Sequence, residues 1–331
     1  MIKNRDSVAY IVVSWNNKTL LDECIASIMD QNTTLAKKII LVDNDSKDGT
    51  VAYIEANYPD IVLLPQTFNY GFAKGNNIGI KVALEDASTK YVVLVNSDAT
   101  LAPNWTQTLV DTALIKPKAA CLQSVTLDYF NHAVIDSTHI FISRYGQATQ
   151  SSWREPISGN KDVPALKVFG CNAAAMLITR GFIEAQPFDD FFDETMFMYL
   201  EDVDVAARAT VMGWDNLLVP GTRAFHMGSV SSNKKDPRFS LRMTFRNNLG
   251  LLIKNLPLPI LFTIIVRIPK SDIASMRHLK RIGKSYAIPA VIQGRLHSIV
   301  FIPIFIYKRI QLSKHKNIDK DFLWKLMRFG Y

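Results

Sequence analysis

The alternation of short apolar runs with helical patterns over the first hundred residues constrains the fold most. Strands are predicted at residues 9–14, 38–42, 61–64 and 91–95, and helices at residues 18–29, 49–57 and 75–87. The strand runs are apolar on both faces, which is typical of parallel strands covered on both sides. The pattern therefore predicts an α/β core with a mainly parallel central sheet flanked by helices. Residues 121–167 have shorter, more polar runs, which predict an irregular or β-rich excursion from the core.

The net charge of +8 conceals an asymmetry along the chain. Residues 1–237 contain 20 Lys and Arg against 27 Asp and Glu, a net charge of −7, whereas residues 238–331 contain 18 against 3, or +15. This predicts a catalytic domain over 1–237 and a basic, apolar, helical C-terminal region over 238–331. The basic residues of that region are interleaved with apolar stretches such as LPLPILFTIIVRI and SIVFIPIFIY. The mixture favours an anionic membrane surface over nucleic acid as the partner.

Prolines and arginines interrupt both apolar stretches of the C-terminal region. A spanning helix needs roughly 18 or more consecutive apolar residues, so we expect helices that lie in the membrane interface and make a peripheral contact. Two alternatives stay open: the region packs as a cap on the catalytic core, or it forms a homodimer contact.

The cysteines and the N-terminal sequence indicate the compartment. Cys24, Cys121 and Cys171 are widely spaced and form no CxxC pair, so we expect reduced thiols. The charged start MIKNRDS leads directly into a strand-like run and not into a signal peptide. Both observations predict a protein on the cytoplasmic side.

Polar clusters follow several predicted strands at the sheet edge where α/β proteins bind ligands. Asp43 and Asp45, in VDNDSKDGT, could accept a hydrogen bond from N3–H of uracil or thymine, although turn and helix-capping chemistry accounts for the same residues. Lys74 and Asn76, in NYGFAKGNNIGI, lie at a loop-to-helix junction, where they could approach the ribose or phosphates of a nucleotide.

A candidate metal site combines NSDA with a later histidine. Ser97 and Asp98 end the fourth predicted strand, and a single aspartate there can recruit Mg²⁺ or Mn²⁺ if a diphosphate and water supply the other ligands. His226 could complete the site through a ring nitrogen. The alternative is a turn aspartate and a structural histidine.

The acid-rich segment FDETMFMYLEDVDVAARATVMGW, residues 192–214, contains the candidate catalytic base. Asp204 and Arg208 are spaced as a structural i, i+4 pair. Asp202 instead lies at the predicted helix start, beside apolar residues. This position suits a general base that deprotonates an acceptor hydroxyl as the hydroxyl attacks the anomeric carbon of a sugar.

Seven segments in this order resemble family 2 glycosyltransferases with the GT-A nucleotide-diphospho-sugar transferase fold, and in particular their bacterial rhamnosyltransferase-like branch. The segments are VVSWNN (12–17), VDNDSKDGT (42–50), NYGFAKGNNIG (69–79), LVNSDA (94–99), FGCNAAAMLITR (169–180), the acid-rich segment (192–214) and HMGSVS (226–231). The resemblance implies that Asp43, with Asp45 as a second candidate, holds the nucleobase. It also implies that Asp98 is the surviving acid of the metal-binding DxD motif, Asp202 the inverting base and His226 a metal ligand.

The resemblance and the basic C-terminal region together predict an inverting, membrane-associated glycosyltransferase of bacterial surface polysaccharide biosynthesis. We expect a nucleotide-diphosphate sugar, dTDP-rhamnose or a UDP-sugar, as the donor and a polyprenyl-diphosphate-linked glycan as the acceptor. The expected location is the cytoplasmic face of the inner membrane. A nucleotidyltransferase and a non-catalytic membrane-bound scaffold are the alternatives.

Overall fold

A computed structural model describes residues 6–157, 163–228, 236–315, 317 and 320–327. The strands are β1 (Ser7–Ser14), β2 (Ala36–Asp43), β3 (Val62–Pro65), β4 (Thr89–Val95), β5 (Ala99–Leu101), β6 (Ala119–Asp128), β7 (Ile135–Ser137), β8 (Ile140–Ile142), β9 (Ala148–Gln150), β10 (Leu166–Val168), β11 (Ala175–Thr179) and β12 (Asp215–His226). The helices are α1 (Lys18–Met29), α2 (Thr50–Asn57), α3 (Gly71–Leu84), α4 (Trp105–Leu114), α5 (Arg180–Glu184), α6 (Glu201–Val211), α7 (Arg238–Asn255), α8 (Leu258–Ile265), α9 (Ile268–Arg281), α10 (Ile288–Val300), α11 (Ile302–Ser313) and α12 (Lys320–Leu326). Short 3-10 helices lie at Glu194–Met196 and Ser285–Ala287.

The central sheet has the strand order β10-β12-β6-β11-β4-β1-β2-β3. Strands β1 to β4 are mutually parallel, β11 runs antiparallel between β4 and β6, and β12 runs parallel to β6. The predicted α/β class with helices flanking the sheet is confirmed. The four predicted strands form within two residues of their expected bounds, and the excursion over residues 121–167 is β-rich.

Helix α3 begins four residues before the predicted start, at Gly71. The sequence pattern left Gly71 in the loop and began the helix at Gly75, since glycine disfavours helices. In the structure the Asn69 Oδ1 atom accepts a hydrogen bond from the Gly71 backbone N–H at 2.9 Å, which satisfies a donor at the helix start. The glycine-rich segment is therefore part of the helix.

Both faces of the sheet are buried, and β1 shows why. Tyr10 contributes to the core formed with α1 and α4, whereas Ile11 faces the opposite core beneath α3. Successive side chains of a strand point to opposite faces, so a strand with apolar residues at every position needs a helical layer on each side. This packing brings the carboxyl ends of β1, β2 and β4 to one edge.

Helix α7 joins the C-terminal helices to the catalytic core through buried ion pairs. Lys254 Nζ lies 2.6 Å from Asp193 Oδ2 and 2.8 Å from Asp204 Oδ2, and all three side chains are almost fully buried. Asp204 also contacts Arg208 at 3.4 Å, which confirms the predicted structural pair, and Lys308 of α11 reaches Asp193 Oδ1 at 2.5 Å. The division at residue 237 stays a prediction.

The C-terminal helices α8 to α11 expose many large apolar side chains. Phe262 on α8 is 76% exposed and Val300 at the end of α10 is 74% exposed. Among the described helices, none alone has the length and hydropathy to cross a membrane. The pair Ser285–Val300 and Ile302–Ser313, bent by 59° at its break, meets those criteria only when taken together.

Candidate active site

Hydrogen bonds join the loops that follow β1 and β2. The Asn44 backbone N–H donates to the Ser14 carbonyl at 2.8 Å, and the Asn16 backbone N–H donates to Ser46 Oγ at 2.8 Å. Asp48 accepts from the Lys18 backbone N–H at 2.9 Å. The loops therefore form one continuous rim at the carboxyl edge of the sheet, which is the edge at which the sequence predicts ligand binding.

Asp43 is buried at this rim with an unused acceptor. Its Oδ2 atom accepts a hydrogen bond from the Ser46 backbone N–H at 3.0 Å. Its Oδ1 atom is buried and has no hydrogen-bond partner among the described residues. A buried carboxylate oxygen without a donor is costly, so this atom suits a ligand N–H such as N3–H of uracil or thymine. Asp45, by contrast, is partly exposed and pairs with Lys47.

The two candidates on α3 differ in what their side chains can reach. Lys74 is substantially exposed, with Nζ 3.8 Å from Glu194 Oε2 and 4.4 Å from the centre of the Tyr70 ring, so its ammonium group is accessible to a ligand. The Asn76 side chain is buried and donates to the Phe72 carbonyl of its own helix at 2.9 Å. Both assignments stay predictions.

Asp98 and His226 lie together because His226 pairs with Ala99 across β12 and β5. The His226 Nε2 atom is 3.3 Å from Asp98 Oδ1, and the Nδ1 atom is 3.0 Å from Asp136 Oδ2 on β7. Burial by itself would lower the pKa of His226, but the two carboxylates raise it to about 9. Ser97 Oγ accepts a hydrogen bond from Asn17 Nδ2 at 3.0 Å, which ties the loop after β4 to that after β1.

The raised pKa of His226 favours the form with both ring nitrogens protonated, so Asp98 and His226 fit two ligands of a divalent cation only once Nε2 has lost its proton. The Asp136 carboxylate can only accept, so it holds the proton on His226 Nδ1 and directs Nε2 towards Asp98, the arrangement that commonly orients a metal-binding histidine. Among the residues that the structure describes, no group of three or more His, Cys, Asp or Glu could hold a metal ion. Any metal bound here would need further ligands from a diphosphate or water.

Asp202 occupies the first turn of α6 and is only partly buried. Its Oδ1 atom accepts from the Val203 backbone N–H at 2.8 Å, and its Oδ2 atom lies 3.5 Å from the Ala173 backbone nitrogen. Burial raises the pKa of Asp202 to about 6 against the lowering effect of these N–H groups. The neighbouring Glu201 is buried, and burial followed by the Asp202 charge holds its pKa well above the usual range. Both pKa values are raised, and that of Asp202, at about 6, lies close to neutral pH.

Asp202 lies against a stretch of chain that is hydrogen-bonded to the loop of Asp98. The Asn96 backbone N–H donates to the Ala174 carbonyl at 2.9 Å, and Ala174 follows the residue that Asp202 contacts. The structure therefore brings the candidate base and the candidate metal ligand to the same side of the molecule. Of the segment HMGSVS, residues 229–231 lie outside the described residues.

Sequence reasoning missed two residues that bear on the site. Asp136, which orients His226, lies on a three-residue strand whose sequence carries no motif. Asn247 of α7 contacts the loop before Asp202, and here a signal was present: RNNLGLLIKNLP (246–257) resembles the helix that closes the catalytic domain in the family.

Comparison with known proteins decides the family. The model of "Glycosyl transferase family 2" matches residues 10–181, which is more than half of the chain. The chain belongs to glycosyl transferase family 2. This family 2 protein is 24% identical over 249 residues to an N-acetylglucosaminyl-diphospho-decaprenol L-rhamnosyltransferase of Mycobacterium tuberculosis, covering 70% of the chain and 79% of the relative. The predicted family and its rhamnosyltransferase-like branch are confirmed, and the chain is a glycosyltransferase.

Solved structures agree on the fold. A mannosyltransferase from Pyrobaculum calidifontis, in complex with GDP-Man and Mn²⁺, superimposes with a TM-score of 0.53 at 17% identity, covering 95% of this chain and 86% of that one. GalNAc-T7 with UDP, GalNAc and Mn²⁺ gives a TM-score of 0.59 at 13% identity over 76% of this chain. The chain spans 48% of that structure, about half its length. The predicted GT-A fold is confirmed, and the nucleotidyltransferase and scaffold alternatives are set aside.

Proposed function

We propose that this glycosyltransferase is an inverting enzyme that moves a sugar from a nucleotide-diphosphate sugar to a hydroxyl group of a lipid-linked glycan. The observation that carries the proposal is Asp202, a partly exposed carboxylate with a pKa raised to about 6, on the side of the sheet that also holds Asp98. A base with a pKa near neutrality can accept a proton efficiently at physiological pH.

In the proposed reaction, Asp202 accepts the proton of the acceptor hydroxyl while the hydroxyl oxygen bonds to the anomeric carbon. The bond between that carbon and the diphosphate oxygen breaks, and its electron pair leaves with the diphosphate. Asp43 Oδ1 would accept the N3–H of the nucleobase, and Lys74 would contact the ribose or phosphates. Asp98 and His226 would hold Mg²⁺ or Mn²⁺, which supplies positive charge for the departing diphosphate.

The relatives support the choice of substrates. The Mycobacterium tuberculosis relative is named for L-rhamnosyl transfer and for an N-acetylglucosaminyl-diphospho-decaprenol. We therefore propose dTDP-rhamnose, or else a UDP-sugar, as the donor and a polyprenyl-diphosphate-linked glycan as the acceptor, in surface polysaccharide biosynthesis.

Nucleotide and metal should stabilise this protein together. We expect UDP or dTDP to raise the melting temperature, with a larger rise when Mn²⁺ is present, because a ligand that binds only the folded state stabilises it. Mn²⁺ alone should change the melting temperature little, since the candidate ligands among the described residues are only two, Asp98 and His226. The measurement is a thermal-shift screen of UDP, dTDP and GDP with and without the metal.

Asp43→Asn and Asp45→Asn form a matched pair for the same screen. We expect Asp43→Asn to weaken nucleotide binding by about 10- to 100-fold, because its one amide oxygen cannot accept from both the Ser46 N–H and a ligand N–H, and Asp45→Asn to have a smaller effect. Stabilisation by GDP but not by UDP or dTDP would contradict the role of Asp43 in binding uracil or thymine. No stabilisation by any nucleotide would count against the proposed donor class.

The acceptor would be reached from the cytoplasmic face of the inner membrane, through peripheral contact. Residues 238–331 have a net charge of +15, and helices α8 to α11 expose apolar side chains. This combination is complementary to an anionic lipid surface.

We expect the protein to sediment with vesicles of phosphatidylglycerol and phosphatidylcholine, less with phosphatidylcholine alone, and less at high salt. The double variant Phe262→Ser/Val300→Ser should lose most of this binding, because it removes two of the most exposed apolar side chains of the region. The control is Leu114→Ser/Ile115→Ser, which removes two similarly exposed side chains of the catalytic core. Equal loss in both variants, or a homodimer that only Phe262→Ser/Val300→Ser dissociates, would refute the membrane contact.

A further inference from the structure

The loop that precedes Asp202 has a strained backbone. Phe197, Tyr199 and Leu200 have φ angles of 61°, 70° and 69°. Non-glycine residues hold such left-handed values at a cost of roughly 1–3 kcal/mol each, so contacts with the surrounding structure must maintain them. Asp202 follows Leu200 by two residues, and the conformation of the loop therefore decides where its carboxylate lies.

One side chain of α7 contacts three carbonyl groups of this loop. The buried Asn247 Nδ2 atom lies 2.9 Å from the Met196 carbonyl oxygen, 3.0 Å from that of Met198 and 2.7 Å from that of Tyr199. An asparagine amide has two N–H donors, so the three acceptors share them. These bonds satisfy the carbonyl groups that the strained loop turns away from regular secondary structure.

The preceding residue reinforces the same contact. The Arg246 guanidinium donates to the Thr195 carbonyl at 2.7 Å and to the Met196 carbonyl at 2.8 Å. Its Nε atom donates to Asn247 Oδ1 at 2.9 Å, which fixes the orientation of the amide. The two side chains therefore act on the loop as one unit.

Helix α3 holds the loop from the opposite side. The Ala73 backbone N–H donates to the Phe197 carbonyl at 3.1 Å. Gly71 has a φ of 77°, and a Cβ atom there would meet the Phe197 carbonyl oxygen at 2.5 Å, so only glycine allows this approach. The loop is thus clamped between the helix that carries Lys74 and the first C-terminal helix.

We propose that Asn247 is a positioning residue that sets the location of the Asp202 carboxylate by holding the loop at residues 196–200. The inference rests on the proposed base role of Asp202. It extends the catalytic machinery past residue 237, into the region predicted to attach the protein to membranes. The C-terminal region would then serve both in attachment and in completing the active site.

The adjacent Asn248 offers a matched control. It is also a buried amide on α7, but its Nδ2 atom donates to the Gly146 carbonyl at 2.6 Å, away from the loop. Asn247→Leu and Asn248→Leu each remove one buried amide from the same helix. A purely structural role for Asn247 would make the two variants behave alike.

Two readouts test the proposal on the full chain. Hydrogen exchange of peptides that span residues 194–204 should become at least about tenfold faster in Asn247→Leu than in Asn248→Leu. The turnover number with dTDP-rhamnose or the UDP-sugar selected by the thermal-shift screen should fall by about 100-fold in Asn247→Leu only, because a small displacement of a catalytic group has this effect. The dissociation constant of UDP or dTDP should stay within about twofold of the wild-type value, because the Asn247 amide donates to the loop before Asp202 and not to Asp43.

The outcomes separate this inference from the proposed function. Equal exchange of the loop in the two variants, or unchanged turnover in Asn247→Leu, refutes the positioning role. Faster loop exchange in Asn247→Leu together with normal turnover of Asp202→Asn would support the contact of Asn247 with the loop and refute the role of Asp202 as the base. If Asn247→Leu does not fold, Asn247→Ser, which retains a hydroxyl donor, is compared with Asn248→Ser by the same two measurements.

Discussion

Replacement of Asp202 by asparagine should lower the turnover number by about 10³- to 10⁴-fold, because the acceptor hydroxyl then has no base to take its proton. Asparagine has almost the same shape and keeps an oxygen for the Val203 backbone N–H, which Asp202 Oδ1 accepts at 2.8 Å. Binding of UDP or dTDP should therefore be unchanged. The measurement is steady-state turnover beside nucleotide affinity, and near-normal turnover would remove Asp202 from the base role.

The pH dependence of turnover follows from the raised pKa of Asp202. The base must be ionised, so turnover should be constant above about pH 6 and fall about tenfold per pH unit below it. The contribution of Asp202 to the free energy of unfolding depends on pH in the opposite direction to turnover. A carboxyl group whose pKa rises from 3.8 to about 6 on folding contributes most stability below pH 3.8 and loses that contribution as the pH rises through about 6.

Asp202→Asn should therefore melt at a higher temperature than the wild type at pH 7.5, by a few degrees, and the difference should shrink towards pH 4. Glu201→Gln is the matched control, since this neighbouring residue is buried, and burial followed by the Asp202 charge raises its pKa well above the usual range. We expect its turnover to keep the same acid limb near pH 6. An acid limb that disappears in Glu201→Gln would assign the titration to Glu201 and not to Asp202.

Replacement of Lys254 by methionine should lower the free energy of unfolding by about 3–5 kcal/mol, because it removes the cation shared by two buried carboxylates. Lys254 Nζ lies 2.6 Å from Asp193 and 2.8 Å from Asp204, and the lysine side chain is fully buried. The measurement is urea unfolding of the full chain at pH 7.5. A loss below about 1 kcal/mol, the range of an exposed ion pair, would contradict the buried network.

Two comparisons isolate the electrostatic cause of this loss. The double variant Lys254→Met/Asp204→Asn should recover part of the stability, because it removes one of the two buried carboxylates that have lost a cation. Burial opposes ionisation of Asp193, but Lys254 and then Lys308 hold its pKa below the usual range in the wild type. The wild type thus loses stability as the pH falls through the ordinary aspartate range. The difference in the free energy of unfolding between the wild type and Lys254→Met should therefore become smaller at those pH values.

Much of the fold could be predicted because its signals are local. The run from Tyr91 to Val95 is apolar at nearly every position, which indicates a doubly covered strand, and the structure has β4 there. The polar residues after such strands were correctly expected at one edge, and Asp98 and Asp43 lie there, both buried. Helix α3 was misplaced by four residues because glycine has a poor helix propensity, which the tertiary contact of Gly71 with Phe197 overrides.

Only those residues of the candidate site could be predicted whose type and position within a sequence motif made them stand out. Asp202 and His226 stood out because each follows or ends an apolar segment. Asp136 did not, because its role depends on β7 pairing with β6 beside β12, and nothing within a three-residue strand reports that pairing. The Asn76 amide donates within its own helix, a contact that the sequence did not indicate, and its role in ligand binding stays a prediction.

The sequence by itself determined the α/β class, the family and the edge of the sheet at which the candidate residues gather, since periodicity, strand ends and motif order are properties of neighbouring residues. Only the tertiary structure decided which side chains meet across the chain. Asn247 reaches Tyr199 from 48 residues away, and Lys254 reaches Asp193 from 61 residues away. Such contacts depend on how α7 packs against α6, and the geometry of that packing is set by the complementary shapes of both surfaces and not by either segment alone.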